Sequence, residues 1–145
     1  MSLFKSVLLI DDDSITNLLN EKIILKNEFA DSVSKFTNAE IALHSLKEIV
    51  QAADRNNFPD AIFLDINMPE MDGWEFLEQL LLLPDFHALK CKVIMLSSSI
   101  DIADIQKSVS YSLITNFISK PLTHDKLRAI HVEENFKPYK TGTSG

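Results

Sequence analysis

Five strand-like stretches alternating with five helix-like ones predict an α/β domain, a doubly wound five-stranded parallel sheet with helices on both faces. Three observations carry that expectation. The apolar period switches between strand and helix spacing from end to end of the chain. Several strand candidates are continuous apolar runs, as strands buried on both faces must be. The 145 residues, 46% hydrophobic and 24% charged, suit one domain with a real core.

The elements follow in order. Val7 to Ile10 is an apolar run halted by Asp11, Asp12 and Asp13. Ser14 can cap a helix that carries Ile15, Leu18, Leu19, Ile23 and Leu25. Val33 to Phe36 is a weaker second strand, and Ala39, Ala42, Leu43, Leu46, Ile49, Val50 and Ala53 then recur at helical spacing. Thr37 or Asn38 caps that helix. A polar break over 54–59 precedes Ala61 to Leu64, the most hydrophobic strand candidate. After a loop ending at Gly73 comes the stripe Trp74, Phe76, Leu77, Leu80 and Leu81, stopped by Pro84. Lys92 to Leu96 is a fourth strand, and Ile102, Ile105 and Val109 mark one face of a fourth helix. Thr115 to Ile118 is a fifth strand, followed after Pro121 by a short helix to about Ile130. The polar stretch 132–145 reads as a flexible terminus or the stump of a longer protein, which places the domain at 1–131.

Charge and cysteine usage exclude whole classes of function. With 14 basic against 21 acidic residues the formal charge is -7, the opposite of a nucleic-acid footprint. Cys91 is the sole cysteine, so no internal disulfide can form, and a reducing, cytoplasmic setting is expected. No apolar run approaches the ~18 residues of a membrane span, and no signal-peptide pattern opens the chain.

In a parallel α/β sheet, ligands bind beyond the carboxyl ends of the strands. There the first strand delivers Asp11, Asp12 and Asp13; the third, Asp65 and then Asn67; the fourth, Ser97, Ser98 and Ser99; the fifth, Lys120 and Pro121. Taken singly, each has an ordinary reading: a turn and helix cap for the aspartates and serines, a solvated charge for Lys120. Together they put carboxylates, a hydroxyl and an ammonium on one edge. Crowded carboxylates repel unless a cation neutralises them, and an all-oxygen set suits Mg²⁺ rather than zinc. A carboxylate can attack phosphorus to form an aspartyl-phosphate, helped by a metal and a lysine. Asp65, a metal site and Lys120 are the minimal kit.

Four stretches in order, Val-Leu-Leu-Ile-Asp-Asp-Asp (7–13), Leu-Asp-Ile-Asn-Met-Pro-Glu-Met-Asp-Gly (64–73), Val-Ile-Met-Leu-Ser-Ser (93–98) and Phe-Ile-Ser-Lys-Pro-Leu (117–122), resemble the receiver domain of two-component response regulators. The resemblance spans roughly residues 5–131. It implies the flavodoxin-like receiver fold, with Asp65 as phosphoacceptor and with Asp11, Asp12, Asp65 and the backbone carbonyl of Asn67 around Mg²⁺. It further implies that Lys120 holds a phosphoryl oxygen, and that Ser97 and Phe117 are the switch pair that responds to phosphorylation. The donor would be a sensor histidine kinase or a histidine phosphotransfer protein. The output would be altered binding of a downstream protein through a face that includes Ile102, Ile105, Val109 and Phe117, with room for a phosphorylation-dependent homodimer. An apolar helical stripe is nevertheless more often core than interface. Phe117 departs from the family's commoner Tyr, and the connections around 51–59 and 85–92 look long for a receiver. With no folded output domain in sight, the expectation is a stand-alone regulator, not an enzyme, acting without membrane or nucleic acid.

The main alternative is a phosphatase of haloacid-dehalogenase-like type, which also uses an aspartate after a strand. Such an enzyme wants a second acid two residues on, where this chain has Asn67. Nucleotide-binding loops need several glycines, and Gly73 is the only glycine before residue 142.

Overall fold

All five strands are parallel and lie in the order β2-β1-β3-β4-β5, so chain direction across the sheet reverses between β1 and β3. The computed structural model describes residues 2–99 and 101–130, and the tail expected over 132–145 lies outside them. In order the elements are β1 (Phe4–Ile10), α1 (Ser14–Lys26), β2 (Ala30–Phe36), α2 (Ala39–Gln51), β3 (Ala61–Asp65), α3 (Gly73–Leu81), β4 (Lys92–Ser97), α4 (Ile102–Val109), β5 (Ile114–Ser119) and the helix α5 over 124–130. Among the described residues no helix is long and apolar enough to cross a membrane.

Side-chain alternation along the central strands divides the core in two. Leu8, Ile10, Ile62, Leu64, Val93 and Met95 face α2 and α3, meeting Ala42, Leu46, Phe76, Leu77 and Leu80. Val7, Leu9, Phe63, Ile94 and Leu96 face the other way, toward Ile24 of α1 and Leu127 and Ile130 of α5. β3 is buried at all five positions, which is why its sequence shows no polar alternation. β2 is an edge strand with outward polar residues, and so its first half escapes a hydrophobicity reading. The two long connections each hold a short 3₁₀ turn, Arg55–Asn57 and Phe86–Leu89. Phe58 and Phe86 pack edge to face between them at 6.2 Å, at the end of the sheet away from the strand C-termini.

Helix α1 departs from expectation. Most of its expected apolar stripe does not face the core: Ile15 and Leu19 are 67% and 60% exposed, Ile23 packs against the core, and Asn17 and Asn20 are buried with Ile24. The Asn17 amide donates to the carbonyls of Asp11 and Phe36, tying together the ends of β1 and β2. The Phe36 carbonyl also accepts from Asp11 N–H, so Asn17 is a second donor there and the donor to the Asp11 carbonyl, and a polar side chain wins the inner position. The N-cap is Asp13 rather than Ser14, its carboxylate accepting from the backbone of Ile15 and Thr16. These backbone bonds hold its carboxyl below the usual range. Asn38 caps α2, one of the two residues expected there.

Candidate functional site

The carboxyl ends of β1, β3, β4 and β5 meet on one rim, because parallel pairing in register stacks their last residues side by side. Ile66 N–H donates to Leu96 O, and Lys120 N–H donates to Ser97 O at 2.8 Å, so the loops stay joined past the strand ends. The Lys120–Pro121 peptide is cis.

Lys120 reaches in from the fifth loop. Its Nζ lies 2.7 Å from Asp11 Oδ2 and 3.2 Å from Asp65 Oδ1. Both carboxylates are buried; Asp12, beside them, is exposed. Asp11 Oδ2 is sealed from solvent without a hydrogen bond of regular geometry, and the ion pair with Lys120 compensates it. Asp11 Oδ1 accepts from Asp13 N–H, and Asp65 Oδ1 accepts from Asn67 N–H, which turns both loops inward around their own carboxylates.

Burial pushes the Asp65 carboxyl up to about 6, and repulsion from Asp11 adds to it, against the pull of Lys120. Burial opposes the charge on Lys120, but its bond to Asp11 and the attraction of both carboxylates outweigh that, and its pKa is raised. One ammonium therefore serves two buried carboxylates, leaving net negative charge on the rim. Asp11, Asp12 and Asp65 can each offer an oxygen with all of these atoms within 4.8 Å of one another, a hard-oxygen set fit for a divalent cation. Asn67 follows on the exposed side of the same loop.

Ser97 is wholly buried at the end of β4, and its hydroxyl donates to the Ser99 carbonyl. Phe117 is half-buried on β5, against the α2/α3 side of the core. The α4 stripe is open: Ile102 and Val109 are 71% and 81% exposed and Ile105 is also exposed, so the core reading of that stripe fails within the described residues.

Other residues were silent in the sequence. Gly73 opens α3 so close to β3 that a Cβ there would lie 2.8 Å from the Asp65 carbonyl oxygen and 2.9 Å from Ile66 Cα. Its place at the end of the 64–73 stretch and its isolation in a glycine-poor chain were the available signals. Gly73→Ala is expected to destabilise the fold by about 1–3 kcal/mol, because the rigid β3 backbone cannot yield; urea unfolding measures this. Trp74, next in α3, donates its indole N–H to Asp104 at 3.1 Å and stacks on Tyr111. Lys107 lies over its ring at 4.8 Å. These contacts fasten α4 to the start of α3, and no local motif announces them.

Comparison with known proteins agrees with this architecture. The family model of the response regulator receiver domain matches residues 7–131. A two-component response regulator from Cytophaga hutchinsonii superposes with a TM-score of 0.80 at 34% identity, over 90% of this chain and 96% of that one. A response regulator receiver protein from Dyadobacter fermentans gives 0.74 at 28% identity, over 91% and 98%. Among curated proteins, protein-glutamate methylesterase/protein-glutamine glutaminase 3 of Burkholderia thailandensis is 33% identical over 79% of this chain and 29% of its own. Two-component response regulator ORR26 of Oryza sativa subsp. japonica is 32% identical over 86% of this chain and 19% of its own. The chain thus spans under a third of the length of these curated relatives. It belongs to the response regulator receiver domain family.

Proposed function

We propose that Asp65 accepts a phosphoryl group from a phosphohistidine, in a Mg²⁺-dependent reaction, and that the acyl phosphate switches binding of a downstream protein. The observation that carries the reading is the buried Asp11–Lys120–Asp65 cluster at the shared strand ends, with Asp12 beside it. In this reading an Asp65 oxygen forms the O–P bond as the donor's N–P bond breaks, and the electron pair leaves with the imidazole nitrogen, which takes up a proton. Asp11, Asp12, Asp65 and the Asn67 carbonyl would hold Mg²⁺, which offsets charge on the phosphoryl oxygens when bound. Lys120 holds one phosphoryl oxygen. The Ser97 hydroxyl exchanges the Ser99 carbonyl for another, and Phe117 moves with it, biasing an equilibrium between two conformations.

The histidine kinase or phosphotransfer donor docks on the outward apolar face of α1, where Ile15, Leu18 and Leu19 are exposed directly after the acidic loop. The exposed Ile102, Ile105 and Val109 of α4 offer a second surface, for the downstream protein or a second copy. No enzymatic turnover is assigned, and the cytoplasm is the proposed setting. The phosphatase alternative is disfavoured by Asn67, which offers no acid two residues after Asp65.

Acetyl phosphate with Mg²⁺ should add one phosphoryl group to the intact mass, and chelation should prevent it. Sustained release of phosphate from a generic phosphomonoester would instead support the phosphatase. Leu19→Glu should slow transfer from a phosphohistidine donor tenfold or more, as a charge enters a desolvated contact, while the rate with acetyl phosphate stays unchanged.

A further inference from the structure

Lys120 is only as well placed as the backbone that carries it, and a second lysine holds that backbone. Lys126, in the first turns of α5, folds its side chain back over the loop. Its Nζ donates to Ser119 O at 2.6 Å and to Pro121 O at 2.9 Å, with Ser119 Oγ at 3.4 Å. An ammonium has three donors, and these three acceptors can use them all. The two carbonyls belong to the residues on either side of Lys120, so the clamp brackets it. The Lys126 N–H is itself anchored on Thr123 Oγ at the start of the helix. On its other side the same stretch is tied to β4, through Lys120 N–H and the Ser97 carbonyl.

We infer that Lys126 is a positioning residue for phosphoryl acceptance: it clamps the peptides flanking Lys120 so that the Lys120 ammonium is held between Asp11 and Asp65. This rests on the reading of Lys120 as the phosphoryl-holding lysine. Carbonyl oxygens turned toward a neighbouring ammonium make charge-assisted bonds, stronger than neutral ones. Without them the loop keeps the Lys120 N–H bond to Ser97 but loses its restraint on the α5 side. Lys120 Nζ sits at 2.7 and 3.2 Å from two buried oxygens, and a shift on the order of 1 Å is enough to weaken both contacts and the transition-state contact they prepare.

The test compares Lys126→Met, Lys126→Arg and Lys120→Met in the full chain. In Lys126→Met the acetyl phosphate rate constant should fall about tenfold, on the order of effects from misplacing a catalytic group. Lys126→Arg, which keeps cationic donors, should recover at least part of that loss. In a Lys120→Met background Lys126→Met should cost nothing more, since it acts through Lys120. An equal loss in both backgrounds would overturn the inference, because a merely structural residue costs the same in each. A second readout is independent of phosphorylation: reductive methylation followed by peptide mass spectrometry, at matched melting temperature. Labelling of Lys120 should rise several-fold in Lys126→Met, and unchanged labelling would overturn the inference. If the wild type accepts no phosphoryl group the proposed function falls, and the labelling alone then decides the clamp.

Discussion

Lys120→Met is expected to slow phosphorylation of Asp65 by about a hundredfold or more, the usual cost of removing one donor aimed at developing charge. The same change should lower stability at neutral pH by about 3 kcal/mol, because it strips the counter-charge from two buried carboxylates. At present the ammonium touches both Asp11 and Asp65. The two effects have different remedies. A divalent cation can take over part of the neutralisation, so Mg²⁺ should raise the melting temperature of the variant more than that of the wild type. It cannot replace the contact to a phosphoryl oxygen, so the slow reaction should persist at saturating Mg²⁺. Thermal melts with and without Mg²⁺, set beside acetyl phosphate kinetics, measure both. A variant as fast as the wild type would remove Lys120 from the reaction.

Asp65→Asn is expected to abolish phosphorylation and yet to stabilise the metal-free fold near neutral pH. Burial and Asp11 raise the Asp65 carboxyl from 3.8 to about 6, so the folded chain holds this proton more tightly than the unfolded chain does. Stability from that group is therefore fully present below about pH 4 and is lost as pH rises through about 6. Above about pH 6 the wild type carries the full cost of that buried charge. Asn presents no charge there, so the variant should gain stability over the wild type at pH 7 and little below pH 4. Urea titrations at pH 7 and pH 4 without divalent cations test the sign. The same shift makes the wild-type nucleophile scarce below about pH 6. Its phosphorylation rate should fall there, with the midpoint moving lower as Mg²⁺ is raised.

What could be read from the sequence depended on what each segment is buried against. β1, β3 and β4 were plain because they are apolar on both faces, and their last residues named the rim. Asp11, Asp12, Asp65, Ser97 and Lys120 do arrive at that shared edge, and three of them make direct contact. Helix α1 was misread because periodicity assumes that inward means apolar. Here the inward position serves two strand-end carbonyls, of which that of Phe36 is already bonded by Asp11 N–H, and Asn17 donates to both. The α4 stripe was ambiguous for the converse reason: nothing in a helical pattern says whether another element covers it. The roles of Gly73 and Lys126 were out of reach because they come from closeness between backbone segments. A missing Cβ against the Asp65 carbonyl leaves no periodic trace, and neither does an ammonium that brackets Lys120.

The exposed faces of α1 and α4 lie on different elements and begin at opposite sides of the rim, one after β1 and the other after β4. In the proposed function the donor engages one of these surfaces while the other responds. The Trp74–Asp104 bond and the Tyr111 stack connect that second surface to the start of α3, immediately beyond the Asp65 loop.

The central claim is that the phosphoryl group is carried by the Asp65 carboxylate. Wild-type protein treated with acetyl phosphate and Mg²⁺, then reduced with borohydride and mapped by tandem mass spectrometry, tests it at residue level. The expected result is reduction of an acyl phosphate at Asp65 and nowhere else. A phosphoryl group found on Ser97, or reduction at Asp11 or Asp12 with Asp65 untouched, would contradict it.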